Sequence, residues 1–220
     1  MYDLVADNLL HIQEEIEPCK PKIIAITKYF GKDAIEAAYK AGLRDFGESR
    51  ALEACEKIES LPEEIRQNST FHFIGHLQTN KVKHVVGVFS YIHSVDSYKL
   101  AQCISQRAQE LGIKQKILLQ VNNAYEEQKF GFSPEELLSD FEQIRGLPGI
   151  EIVGVMNMAP LGAPQDKLEE LFSNVVNIRN VINEKYNCDM KEISMGMSQD
   201  YKIAARAGST MLRIGRKLFE

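Results

Sequence analysis

Apolar residues in this chain follow two alternating rhythms. Short unbroken runs, such as Ile23-Ile24-Ala25-Ile26 and Ile117-Leu118-Leu119, read as strands buried on both faces. Between the runs, apolar positions recur at three- and four-residue spacing, the mark of helices with one buried stripe. An opening helix carries Leu4, Leu9, Ile12 and Ile16. Strand signals then fall at 22–28, 44–47, 70–74, 88–93, 116–122, 150–156, 191–195 and 211–214. Helix signals lie between them: Ile35, Ala38 and Tyr39 before a stop at Gly42; Leu52, Cys55 and Ile58; 77–86; and Leu100, Ile104, Ala108 and Leu111 after Ser97. Ser133-Pro134-Glu135-Glu136 combines an N-cap serine, a proline in the first turn and a glutamate at N3. The longest predicted helix runs from Pro164 to about Tyr186, and a shorter one, capped by Ser198, ends at Gly208.

Eight strand signals alternating with helices in 220 residues predict a single (β/α)8 TIM barrel with an extra N-terminal helix. An open, doubly wound sheet is the alternative, because periodicity does not show closure. Both architectures gather ligands at the carboxyl ends of the strands. No linker, repeat or low-complexity tract divides the chain, so residues 1–220 read as one domain.

Composition narrows the function. A chain 44% hydrophobic and 26% charged suits one large core. The formal charge of −5 argues against a nucleic-acid surface. No apolar run is long enough to span a membrane, and residues 1–17 are acidic where a signal peptide would be basic. Cys19, Cys55, Cys103 and Cys188 are far apart and form no CxxC pair, which points away from zinc or a disulfide framework and towards a reduced, cytoplasmic setting.

The candidate chemistry starts at Lys28. A lysine at the carboxyl end of a buried strand has its amine in dry surroundings, and these favour the neutral form that attacks a carbonyl. The far end of the chain offers a phosphate site. Ile193-Ser194-Met195-Gly196-Met197-Ser198 is a strand running into a small-residue turn, and Arg213-Ile214-Gly215-Arg216 is a strand ending on a glycine that admits close backbone approach. Loops after the seventh and eighth strands are where such barrels bind phosphate. His72, between Phe71 and Phe73, reads as a hydrogen-bonded core histidine. Lys81 and Lys83 read as solvent-facing, as do the pairs Glu126-Glu127 and Glu169-Glu170.

Several segments occur together in a telling order: Ala25-Ile26-Thr27-Lys28, Phe46-Gly47-Glu48, the stretch from His72 to Lys81, Ser94-Val95-Asp96-Ser97, Met156-Asn157-Met158-Ala159-Pro160, Ser194-Met195-Gly196-Met197-Ser198, and the stretch from Gly208 to Gly215. Over essentially its whole length the chain resembles the pyridoxal-phosphate homeostasis protein family, single-domain relatives of the alanine racemase barrel. The resemblance implies that Lys28 carries pyridoxal phosphate as a Schiff base. It also implies that Ser198 and the backbone around Gly215 and Arg216 hold the phosphate, and that Arg213 faces the pyridine nitrogen. Ser49, where the family has asparagine, and Met156 complete the expected cofactor-binding set.

An arginine at the ring nitrogen can only donate, which weakens the ring as an electron sink and argues against transamination. Racemisation would need a second base; Tyr29, Tyr91 and Tyr201 are the tyrosines available. The expectation is therefore a monomeric, non-catalytic carrier that buffers pyridoxal phosphate or delivers it to apo-enzymes. A pyridoxal-phosphate-dependent racemase or lyase, and a cofactor-free Schiff-base aldolase, are the alternatives.

Overall fold

The strand signals become a ring. In the computed structural model, which describes residues 2, 4–125 and 130–220, eight parallel strands close in sequence order. They are β1 (Lys22–Ile26), β2 (Asp45–Glu48), β3 (Thr70–Phe73), β4 (Tyr91–Val95), β5 (Gln115–Val121), β6 (Ile150–Asn157), β7 (Glu192–Met197) and β8 (Met211–Ile214). Pairing of β8 with β1, from Lys22 opposite Met211 to Ala25 opposite Ile214, closes the ring and rules out the open sheet. The Glu126-Glu127 pair lies outside the described residues.

Helices cover the outer face: α1 (Val5–Glu15), α2 (Lys32–Lys40), α3 (Ala51–Glu59), α4 (Glu63–Gln67), α5 (Val82–Val85), α6 (Tyr98–Glu110), α7 (Pro134–Arg145), α8 (Gln165–Tyr186), α9 (Tyr201–Ala207) and α10 (Arg216–Phe219). The start of α7 is the predicted capping box. Ser133 Oγ accepts the Glu136 N–H at 3.1 Å, and the Glu136 carboxylate accepts the Ser133 N–H at 2.8 Å. The main core fills the space between strands and helices, with Phe46, Phe73, Phe89, Phe141 and Phe172 fully buried. No helix among the described residues is long and apolar enough to cross a membrane, and all four cysteines are unpaired.

Three local expectations are corrected. β4 begins at Tyr91 and not at residue 88, because Val86 and Phe89 are engaged in a bridge before the strand and Val88 is exposed. The buried positions of α3 are Ala54 and Ile58, a clean i, i+4 pair, while Leu52 points to solvent. The helix expected over 77–86 divides into a 3-10 turn at Thr79–Lys81 followed by α5.

Two features bear on the site. Inside the barrel, Ile24, Ile26 and Met211 form a small apolar cluster separate from the main core, with Ile74 and Tyr91 against it. Beside the β8–β1 seam, the rings of Tyr2, Phe30 and Phe219 meet, with centroids 4.8 to 6.1 Å apart. The Asn8 amide donates to the Leu218 carbonyl at 3.1 Å, which ties α1 to α10.

Gly196 is a glycine that the β7 turn requires. Its φ is +91°, and a Cβ there would lie 2.5 Å from the Ala204 Cβ and 2.9 Å from Leu212. Gly196→Ala is expected to lower stability by about 1–3 kcal/mol. The measurement is a shift of the urea midpoint with the slope unchanged.

Candidate cofactor site

The carboxyl ends of β1, β6, β7 and β8 surround a cavity of about 700 Å3. Ile26, Lys28, Ser198, Arg213, Gly215 and Arg216 line it, and Met158, Pro160 and Leu161 give it an apolar rim. Five of the residues singled out from the sequence are therefore brought together. Ser49 and Met156 are not among its lining residues. Ser49 borders a separate cleft with Arg50, His76 and Lys81, and its carbonyl is packed so closely on Gly75 that a Cβ there would lie 2.2 Å away. Met156 is buried in the wall of β6, opposite Gln120 and Ser194.

Lys28 lies in the turn just past β1 and is half-buried, so the dry setting expected for it is not found. Its Nζ sits 5.0 Å from the centroid of the exposed Tyr29 ring. The residue before it, by contrast, is held fast. Thr27 is fully buried and its Oγ1 donates to Glu48 Oε1 at 2.7 Å. Lys57 reaches in from α3 and donates to the same carboxylate oxygen at 2.8 Å and to the Thr27 carbonyl at 3.0 Å. Glu48 is buried at the end of β2, and this pairing satisfies a carboxylate that would otherwise be costly there. The Phe-Gly-Glu segment was legible in the sequence, but the partner Lys57 was not, since α3 supplies it from outside any motif.

Ser198 was expected to cap α9. The N-cap is Asp200 instead, because β7 continues to Met197 and the Asp200 carboxylate accepts the Met197 N–H, which closes the turn. The Ser198 hydroxyl faces α10, where it accepts long hydrogen bonds, both 3.4 Å, from the Gly215 and Lys217 N–H groups. Gly215 is not forced to be glycine by the protein's own packing, since a Cβ there would meet nothing nearer than 3.5 Å.

Arg213 is buried near the carboxyl end of β8. One guanidinium nitrogen donates to Ser194 Oγ at 2.7 Å and the other to the Asn157 carbonyl at 2.8 Å. Among the described residues no carboxylate lies within ion-pairing distance of it. Burial lowers its pKa to about 10, against a weaker opposing effect of Asp200, and leaves it protonated at neutral pH. Below it the lumen is polar. Ser194 Oγ lies 2.9 Å from His93 Nδ1, His93 Nε2 lies 2.9 Å from His72 Nδ1, and His72 Nε2 lies 2.9 Å from Asp45 Oδ1. His72 is thus the hydrogen-bonded core histidine its surroundings predicted. Its partner His93 gave no signal of its own. No group of His, Cys, Asp and Glu among the described residues could hold a metal ion.

The family described as "Alanine racemase, N-terminal domain" matches residues 2–219 of this chain. A pyridoxal phosphate homeostasis protein of Synechocystis is 42% identical over 202 residues, which is 92% of each chain. The human protein of that name is 34% identical and aligns with 93% of this chain and 78% of its own. Among solved structures, PipY of Synechococcus elongatus with PLP bound superposes with a TM-score of 0.87 at 33% identity, covering 98% of this chain and 100% of that one. The alanine racemase of Clostridium difficile, at 18% identity and a TM-score of 0.78, shares the fold; this chain spans 56% of it.

The two lumen histidines set a pH dependence. Burial lowers the pKa of His72 despite its Asp45 partner, and lowers that of His93 further, with the His72 and Arg213 charges adding to the effect. An unfolded histidine titrates near pH 6.5. Below about 6.5 the unfolded chain therefore takes up protons that the folded chain does not, and stability falls as the pH drops. The expected limit is roughly tenfold in the folding equilibrium per histidine per pH unit. Urea denaturation between about pH 7 and 5 measures it, and His93→Gln is expected to flatten the curve.

Proposed function

The chain belongs to the alanine racemase N-terminal-domain family, among its pyridoxal phosphate homeostasis proteins, and on that premise we propose that it holds pyridoxal phosphate in this cavity, covalently through Lys28, and serves as a store from which the cofactor passes to apo-enzymes. The observation that carries the reading is Arg213, a buried guanidinium that lines the cavity and has no carboxylate within ion-pairing distance among the described residues. Such a group suits a neutral acceptor such as an unprotonated ring nitrogen.

The other residues fit the same ligand. Ser198 Oγ and the N–H groups of Gly215 and Lys217 cluster at one point, and their long mutual bonds leave donors that a phosphate would take up better. Arg216, which lines the same cavity, adds a positive charge beside them. The volume is that of a small-molecule site. Pyridoxal phosphate supplies an aldehyde that condenses with a primary amine, releasing one water, and a ring that draws electrons from the attached group. Lys28 presents the amine at the rim, fixed at its root by the Thr27–Glu48–Lys57 clamp and open at its tip. Arg213 remains protonated, donates, and keeps the ring nitrogen from acquiring a proton of its own.

Of the three tyrosines weighed as a second base, two are committed elsewhere and the third is not oriented. Tyr91 stacks on His72 deep in the lumen, with centroids 4.8 Å apart. The Tyr201 hydroxyl donates to the Glu15 carboxylate on the outer face. Tyr29 stands at the mouth but is 76% exposed, with no hydrogen bond among the described residues to orient it. This supports storage and release over racemisation.

Lys28→Ala is expected to fold normally and to lose both the cofactor's absorption band and the borohydride-reducible adduct. A covalent adduct that persists in this variant would assign the linkage to another lysine. Loaded wild-type protein given single-enantiomer amino acids is expected to turn over far more slowly than an ordinary enzyme, on the order of 1 per second.

A further inference from the structure

We infer that Asp45, His72, His93 and Ser194 form a one-way hydrogen-bond relay that fixes the guanidinium of Arg213 in the orientation it presents to the cavity, so that these four are positioning residues for the cofactor's ring. The inference rests on the reading of Arg213 as the partner of the ring nitrogen.

The polarity of the relay follows from its two ends. Arg213 can only donate, so Ser194 Oγ is the acceptor of their 2.7 Å bond. The serine's own proton then goes to its other neighbour, His93 Nδ1 at 2.9 Å. With Nδ1 accepting, a neutral His93 carries its proton on Nε2 and donates to His72 Nδ1 at 2.9 Å. His72 in turn carries its proton on Nε2 and donates to Asp45 Oδ1 at 2.9 Å. The far end demands the same order independently, because a carboxylate can only accept. Reversal would set the lone pair of His72 Nε2 against that carboxylate and give Ser194 two donors with no use for its own proton. In the forward order every link has one proton and one acceptor, and both rings are neutral, as their burial favours.

The relay is anchored where it starts. Lys22 Nζ lies 3.2 Å from the same Asp45 oxygen, and Tyr91 stacks on His72. It draws on β2, β3, β4, β7 and β8, so the orientation of Arg213 is set by the ring of strands and not by one loop. The Asn157 carbonyl ties the other guanidinium nitrogen at 2.8 Å. With both terminal nitrogens tied, the plane of the group is fixed. Barrels of this kind ordinarily fill the lumen with branched apolar side chains. A polar ladder is the harder solution, and here it ends on a cation that lines the cavity.

Two measurements test the inference. Heteronuclear NMR of the histidine side chains in the wild-type protein at neutral pH is expected to show both rings neutral with the proton on Nε2. A cationic ring, or a proton on Nδ1 of either, overturns the relay. The second uses protein loaded with pyridoxal phosphate. Ser194→Ala and His93→Phe are expected to move the absorption maximum and to speed loss of the cofactor on the order of tenfold, the scale of one hydrogen bond to a charged group. His93→Gln, which keeps one donor and one acceptor, is expected to restore both towards wild type. An unmoved spectrum in Ser194→Ala and His93→Phe, with only stability lowered, would mean that the ladder merely fills the lumen. Arg213→Lys separates the two levels. If it shifts the spectrum while the relay variants do not, the relay alone fails; if it leaves the spectrum unchanged, the assignment of Arg213 fails with it.

Discussion

A buried guanidinium with no carboxylate in ion-pairing distance among the described residues is the constraint on which this barrel depends. Removing a charge from water is expensive, and the cost is ordinarily met by an ion pair. Arg213 has instead a hydroxyl, a carbonyl and a cavity. Each neutral partner must itself be oriented, and the requirement passes from Ser194 through two imidazoles to Asp45, where solvent and Lys22 take it up. The polar lumen connects that one cation to the amino-terminal end of the barrel, and the burial of its two imidazoles favours their neutral forms.

The opposite wall of the cavity is built on a different balance. The backbone before Lys28 is fixed by a buried carboxylate shared between a threonine hydroxyl and a lysine from α3, while the Lys28 side chain is left half in water. A rigid root with an accessible tip suits a linkage that must form and also be surrendered. The contrast between a buried arginine and a half-buried lysine is the main asymmetry of the cavity.

Local pattern carried much of this. The strand runs, the capping box at Ser133 and the gathering of Lys28, Ser198, Arg213, Gly215 and Arg216 at one mouth were legible, because each depends on residues close in sequence or on the shared direction of parallel strands. Closure was not legible, since the β8–β1 pairing leaves no mark on either strand alone. For the same reason His93 went unrecognised: its partner Ser194 is 101 residues away and meets it only across the closed lumen. Leu52 misled because one apolar residue on an otherwise polar face fits a stripe by spacing, whereas Ala54 and Ile58 decide which side α3 turns inward. Ser198 misled because Asp200, an equally good cap residue, stands two places further on.

The knot of rings beside the seam has a consequence for how the molecule comes apart. Phe30 follows closely on Lys28 and is wedged between Tyr2, which precedes α1, and Phe219 of α10, so the segment bearing Lys28 is gripped by residues far apart in the sequence. Warming that frays α1 or α10 would slacken this grip before any strand separates. The mouth of the cavity would then be the first region to lose its shape, in a molecule still largely folded.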